Sequence, residues 1–259
     1  MPQVKRSNAA LYFESHGSGP VVVFAHGAGG NTLIWWQQVP FFARTRRVIT
    51  FDHRGFGRSR CEPADFHGRE FAGDLRAILD AAGVDRAALV CQSMGGWTGL
   101  HAAVESPERV TCLVLSGTPG GVFTPKVTEA FGRAGRTAAS EGIRGAPALA
   151  PDFPAREPAL ALLYDQISAL NPGLPRAGLA TLAESRIEAA ELVGYRVPTL
   201  MISGEHDQLF PPDALKEAAA QIPGCRLVSF PGAGHSPYFE DAPRFNRLVA
   251  EFLAEVGAR

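Results

Sequence analysis

Short apolar runs recur along the chain at 21–24, 48–51, 88–91, 112–115, 199–202 and 227–230. They are rich in Val, Ile and Leu and carry apolar residues toward both faces, as strands do when helices cover both sides of a parallel sheet. Between most of them lie stretches with helical spacing. Residues 71–82 end before Gly83, 95–105 are stopped by Pro107, 213–221 open on Asp213 as a cap after Pro211 and Pro212, and 242–256 close the chain. Alternating strand and helix predict an α/β fold with a doubly wound, mostly parallel sheet. From 119 to 196 the alternation stops, and three helix-like pieces at 126–140, 157–170 and 176–193 take its place. So long an excursion is not bare loop. The expected organisation is a core of 1–118 and 197–259, with 119–196 a helical cap inserted between two late strands.

Composition changes this picture little. A chain of 259 residues suits one α/β unit and can bury a core without disulfides. A net charge of −1 offers no field for nucleic acid or an anionic membrane. Cys61, Cys91, Cys112 and Cys225 show neither C-x-x-C nor zinc-like spacing, so they read as small hydrophobes, and no metal is expected. The first residues are polar, without a signal-peptide core, and no apolar stretch is long enough for a membrane span. The expectation is a cytoplasmic protein with a small-molecule substrate and neither nucleic acid nor membrane as partner.

In an open parallel sheet the chemistry lies beyond the carboxyl ends of the strands. The first loop there is His26-Gly27-Ala28-Gly29-Gly30, whose glycines leave backbone N–H groups accessible but match neither phosphate-loop spacing. The decisive loop is Cys91-Gln92-Ser93-Met94-Gly95-Gly96, between a strand and a helix. A serine on such a tight turn presents its hydroxyl outward, with the following N–H groups at the positive end of a helix dipole. The same residue would suit a plain helix cap, so its partners decide. A serine nucleophile needs a base, and His235, in Pro231-Gly232-Ala233-Gly234-His235, is the histidine that follows the last strand. Asp207, in Ser203-Gly204-Glu205-His206-Asp207, stands where an orienting acid is needed, whereas the loop after 112–115 offers only Ser116-Gly117-Thr118. The order Ser, Asp, His is that of the α/β-hydrolases.

These loops resemble the α/β-hydrolase superfamily in its compact, cap-bearing branch of serine esterases and lactonases. Asp52-His53-Arg54-Gly55-Phe56-Gly57-Arg58-Ser59 is similar to that branch's D-x-R-G-x-G-x-S turn, and the elbow, the Gly-Glu-x-Asp turn and the Gly-x-Gly-His turn match in order. The likeness covers nearly the whole chain. It implies an oxyanion hole made by the backbone N–H groups of Ala28 and Met94, a structural role for Asp52 and Arg54 in fixing their loop, and a bracing role for His26. It also implies acyl transfer without a cofactor, by Ser93, His235 and Asp207. One departure stands out: the family's elbow is G-x-S-x-G, and Cys91 occupies the first glycine position.

The preferred reaction is hydrolysis of a carboxylic ester or lactone of a small to medium apolar acyl substrate. Gly27, Trp35, Phe131, Tyr164, Phe210 and Tyr238 are the pocket candidates. The alternatives are carbon–carbon hydrolysis of ring-cleavage products, cofactor-free perhydrolysis or acyl transfer, and a binding protein of the same fold without turnover.

Overall fold

The computed structural model describes residues 3–141, 148–171 and 176–258. Two strands open the chain, β1 (Gln3–Arg6) and β2 (Ala9–His16), followed by β3 (Val21–Ala25), β4 (Arg47–Phe51) and a short β5 (Arg60–Cys61). Then come β6 (Ala87–Gln92), β7 (Val110–Ser116), β8 (Thr199–Gly204) and β9 (Arg226–Phe230). They form one sheet in the order β1-β2-β4-β3-β6-β7-β8-β9, with β5 beside β2. From β4 to β9 every pairing is parallel, and β1, β2 and β5 are antiparallel. All six predicted runs are strands, each longer by one to three residues or ending where predicted.

Alternate residues of the central strands serve opposite faces, as a period of two requires. Val23, Leu89, Leu113 and Met201 pack on one side, with helices α2 (Phe71–Ala81), α3 (Gly95–Glu105) and α8 (Pro212–Gln221). Val22, Val90, Val114 and Ile202 pack on the other, with α1 (Val39–Phe42) and α10 (Ala242–Glu255). The two buried clusters account for the absence of polar alternation in the strands.

The first two strands are additions to the expected set. Their hairpin turns through Ser7 and Asn8 at φ 43° and 58°. Both central residues lie in the left-handed region, as a type I′ turn demands, but without the glycine that usually advertises one. Helix predictions hold to within a residue at α2, α3, α8 and α10. Asp213 lies one residue inside α8, and Pro211 occupies the cap position.

Residues between β7 and β8 are helical, as expected: α4 (Pro125–Glu141), a short α5 (Phe153–Arg156), α6 (Pro158–Ala169) and α7 (Arg176–Glu184). The third expected helix, 176–193, is too long. It stops at Glu184, Ile187 forms a parallel bridge with Val122, and a separate 3-10 turn, Ala189–Leu192, follows. A bridge that ties the insertion's two ends together requires extended backbone where helical periodicity would have continued. The remaining helix, α9 (Pro237–Glu240), is a single turn just before α10.

No helix among the described residues is long and apolar enough to cross a membrane. All four cysteines are free, with Cys91 and Cys112 buried and Cys61 and Cys225 half-buried.

Candidate active site

Ser93 sits between β6 and α3 with φ 48°, a conformation that favours glycine. Its N–H donates to Ser116 O at 3.0 Å, which ties the turn to β7. Small neighbours are required by close approach. A Cβ on Gly95 would lie 2.8 Å from the Ala25 carbonyl carbon and 2.9 Å from His26 O, so only glycine lets α3 begin against the end of β3. Cys91 fits its glycine position because the residue facing it is itself a glycine. A Cβ on Gly99 of α3 would meet Cys91 Sγ at 2.5 Å. The thiol is fully buried, and burial pushes its pKa far up, so it stays protonated.

His235 and Asp207 are both buried, and His235 Nδ1 lies 2.9 Å from Asp207 Oδ2. The other carboxylate oxygen, Oδ1, accepts from the N–H groups of Leu209 and Phe210, each at 2.9 Å. Asp207 therefore holds its own loop and the histidine together. His235 Nε2, the nitrogen away from Asp207, is buried with no hydrogen-bond partner among the described residues. Gly117 makes room for the ring: it has φ 58°, and a Cβ there would lie 3.1 Å from His235 Nδ1.

The histidine's turn has a second holder that sequence reasoning missed. The Glu240 carboxylate accepts N–H groups from Gly234 at 3.0 Å, Ser236 at 3.2 Å and Ala150 at 2.8 Å. Burial raises its pKa despite those donors. A glutamate five residues past the histidine was the available signal. Its use depends on Ala150, which lies 90 residues away in sequence.

The glycine-rich loop folds as a turn in which Gly30 N–H donates to Gly27 O at 3.0 Å. His26 braces it: Nδ1 lies 2.8 Å from Gly27 O, and Nε2 accepts the His53 N–H at 3.0 Å. Those two bonds require the neutral ring, and burial lowers its pKa accordingly. Asp52 accepts from Thr32 N–H at 2.6 Å and Arg58 N–H at 2.7 Å. Arg54, from the same turn, acts through other partners: its guanidinium forks onto Asp74 at 2.6 and 2.7 Å and donates to Asp65 O at 2.7 Å, with Arg54 and Asp74 both buried.

Ser93, His235, Ala28 and Met94 all line one cavity of ≈ 890 Å³. Of the pocket candidates, Phe131, Tyr164 and Phe210 line it as expected. The other three do not. Trp35 and Tyr238 are buried in the core, packed on each other with ring centroids 4.6 Å apart and planes tilted by 43°, on the face that carries α10. Gly27 is buried behind Ala28, where a Cβ would press on Gln92 and lie 2.8 Å from Ser93 Cβ. Trp97 and Leu209 line the cavity and were not anticipated. Nothing in a run of helical residues distinguishes Trp97, whose indole N–H donates to Leu182 O at 2.9 Å.

With this geometry in place, comparison with known proteins identifies the class. A family model described as alpha/beta hydrolase fold matches residues 20–134 and 122–242, and the chain belongs to that family. Several of the proteins it is similar to are named as hydrolases. The 2-hydroxymuconate semialdehyde hydrolase of Pseudomonas sp. (strain CF600) is 33% identical over 93% of this chain and 89% of its own. Among solved structures, Est816, an N-acyl homoserine lactone degrading enzyme, is 27% identical with a TM-score of 0.82, covering 97% of this chain and 100% of its own. The enol-lactonase from Burkholderia xenovorans LB400 is 26% identical with a TM-score of 0.82, covering 98% of this chain and 100% of its own.

Proposed function

We propose that the protein is a serine hydrolase that cleaves a carboxylic ester or lactone. The observation that carries this reading is the buried His235–Asp207 contact of 2.9 Å beside a serine held at φ 48° on the same cavity. Holding serine in that conformation costs about 1–3 kcal/mol, a cost that a helix cap or a passive binding pocket has no use for.

In the proposed reaction His235 Nε2 takes the Ser93 proton as Oγ attacks the substrate carbonyl carbon. The oxyanion is held by the N–H groups of Ala28 and Met94, with the N-terminal end of α3 adding favourable potential. Collapse expels the alkoxide, which receives the proton from His235. In a lactone that hydroxyl stays attached to the acyl chain. Water then attacks the acyl-enzyme carbonyl with His235 again as base, and the acid departs. Asp207 fixes the tautomer and stabilises the imidazolium.

Residues 119–196 act as the cap over this site in the same proposal, since Phe131, Tyr164 and Leu182 bring the insertion to the cavity wall. The wall is mainly apolar. No Lys or Arg is among the described residues that line it, and Asp165 contributes a carboxylate. That lining suits a neutral acyl group of small to medium size and opposes an anionic one, which favours esters and lactones over carboxylated ring-cleavage products.

Intact-mass analysis after fluorophosphonate treatment tests the assignment. The wild type is expected to gain one adduct and Ser93→Ala none. An adduct on both proteins would show that another residue is the nucleophile, and no adduct on folded wild type would shift the reading to a binding protein.

A further inference from the structure

The helix α6 ends just before Asn171, and that side chain reaches out of the insertion to join two loops of the core. Its Nδ2–H donates to Gly29 O at 2.7 Å, and its Oδ1 accepts the Gly57 N–H at 2.9 Å. Gly29 directly follows Ala28 in the glycine-rich turn, and Gly57 belongs to the turn that begins at Asp52. Asp52 ties the same two loops from within the core, through Thr32 N–H and Arg58 N–H. A neighbouring tie runs the other way, from Asn31 Nδ2 to Ile167 O of α6 at 3.0 Å. Helix α6 is thus fastened to the loop at two points, while its Tyr164, Asp165 and Ser168 line the cavity.

We propose that Asn171 is a positioning residue that sets the orientation of the oxyanion loop from the cap side. The proposal rests on the reading of Ala28 as an oxyanion donor. Gly29 has φ 85°, so the turn around it is built from residues with little conformational restraint of their own. Its geometry must come from bonds made to it. The His26 ring holds Gly27 O and Asn171 holds Gly29 O, one on each side of Ala28. A carboxamide is suited to this place because it is planar and offers one donor group and one acceptor in fixed relation. It therefore sets the spacing between Gly29 O and Gly57 N, which a carboxylate or an alkyl group would not do. An oxyanion donor works only when aimed at the position where charge develops.

The full chain is compared with Asn171→Asp and Asn171→Ala. Aspartate keeps the size and the acceptor for Gly57 but sets an oxygen against Gly29 O. Three quantities are measured: the second-order rate of phosphonylation by a fluorophosphonate, kcat and KM with p-nitrophenyl butyrate, and the thermal midpoint. Both variants are expected to lose about 10- to 100-fold in phosphonylation rate and in kcat, with KM within about threefold of wild type. The thermal midpoint identifies a temperature at which every variant is folded, and rates are compared there. Wild-type phosphonylation rates in both folded variants, or a rise in KM at constant kcat, would overturn the role assigned to Asn171. Failure of the wild type itself to be labelled would instead overturn the reading of the Ser93 site.

Discussion

In the proposed reaction the φ 48° of Ser93 serves to place its hydroxyl, and that conformation is separable from the chemistry. Glycine adopts it without strain, whereas alanine does not. Ser93→Gly is therefore expected to stabilise the fold by about 1 kcal/mol, or roughly 2–4 °C in thermal midpoint, while abolishing turnover. Ser93→Ala should abolish turnover with no such gain. Calorimetry on the two variants decides the matter: equal midpoints would mean that the elbow stores no strain at this residue. The proposed serine, histidine and acid can be picked out in the sequence because each follows a strand in a short turn that contains glycine. Glu240 and Asn171 cannot, since a glutamate and an asparagine are ordinary surface residues until their partners, Ala150 and Gly29, are brought to them.

At the scale of elements, the strand β6 and the helix α3 pack through Cys91 and Gly99. The thiol takes the space that a Cβ on Gly99 would need, with Leu113 Cδ1 also 2.6 Å from that point. Overpacking of this kind costs about 1–3 kcal/mol, more than the roughly 1 kcal/mol that a helical glycine loses to alanine in propensity. Gly99→Ala is expected to destabilise the protein, and to do so by at least about 1 kcal/mol less in a Cys91→Ala background. Urea unfolding of the four proteins gives the coupling, and simple additivity would refute the compensation. This pairing resolves the departure from G-x-S-x-G. A larger residue in the strand is accommodated by a smaller one in the helix, which sequence periodicity alone does not reveal. The overlong helix expected at 176–193 fails for a related reason. Helical spacing continues past Glu184, but the bridge from Val122 to Ile187 claims the backbone.

For the whole molecule, the pH dependence of stability follows from two buried imidazoles. His26 and His53 both have pKa values lowered by burial, His53 well below 6.5. Below about pH 6.5 the unfolded chain binds protons at these sites and the folded chain does not, so stability falls as pH falls. Each group contributes a slope of up to about 1.4 kcal/mol per pH unit until its folded pKa is reached. The raised pKa of Glu240 acts in the opposite sense, with one group against two. Unfolding free energies between pH 7 and 5 are expected to decline, and a flat or rising profile would show that the histidines protonate within the fold.

What the sequence by itself determined is the set of elements and loops that carry short-range signals. Apolar runs, helix stops and glycine-rich turns each depend on residues a few positions apart, so the parallel sheet, the insertion between β7 and β8 and the order Ser93, Asp207, His235 are readable from the sequence alone. What the tertiary structure alone decided is which side chains meet. Trp35 and Tyr238 look like pocket aromatics but lie in the core, because their elements pack on the face that carries α10. Trp97 looks like core yet lines the cavity, because α3 begins at the elbow. The fork of Arg54 on Asp74, the tie between Glu240 and Ala150 and the tie between Asn171 and Gly29 join residues from 20 to 142 positions apart. Contacts at such separations arise when the sheet order brings distant loops to one edge, and local pattern carries no record of that order.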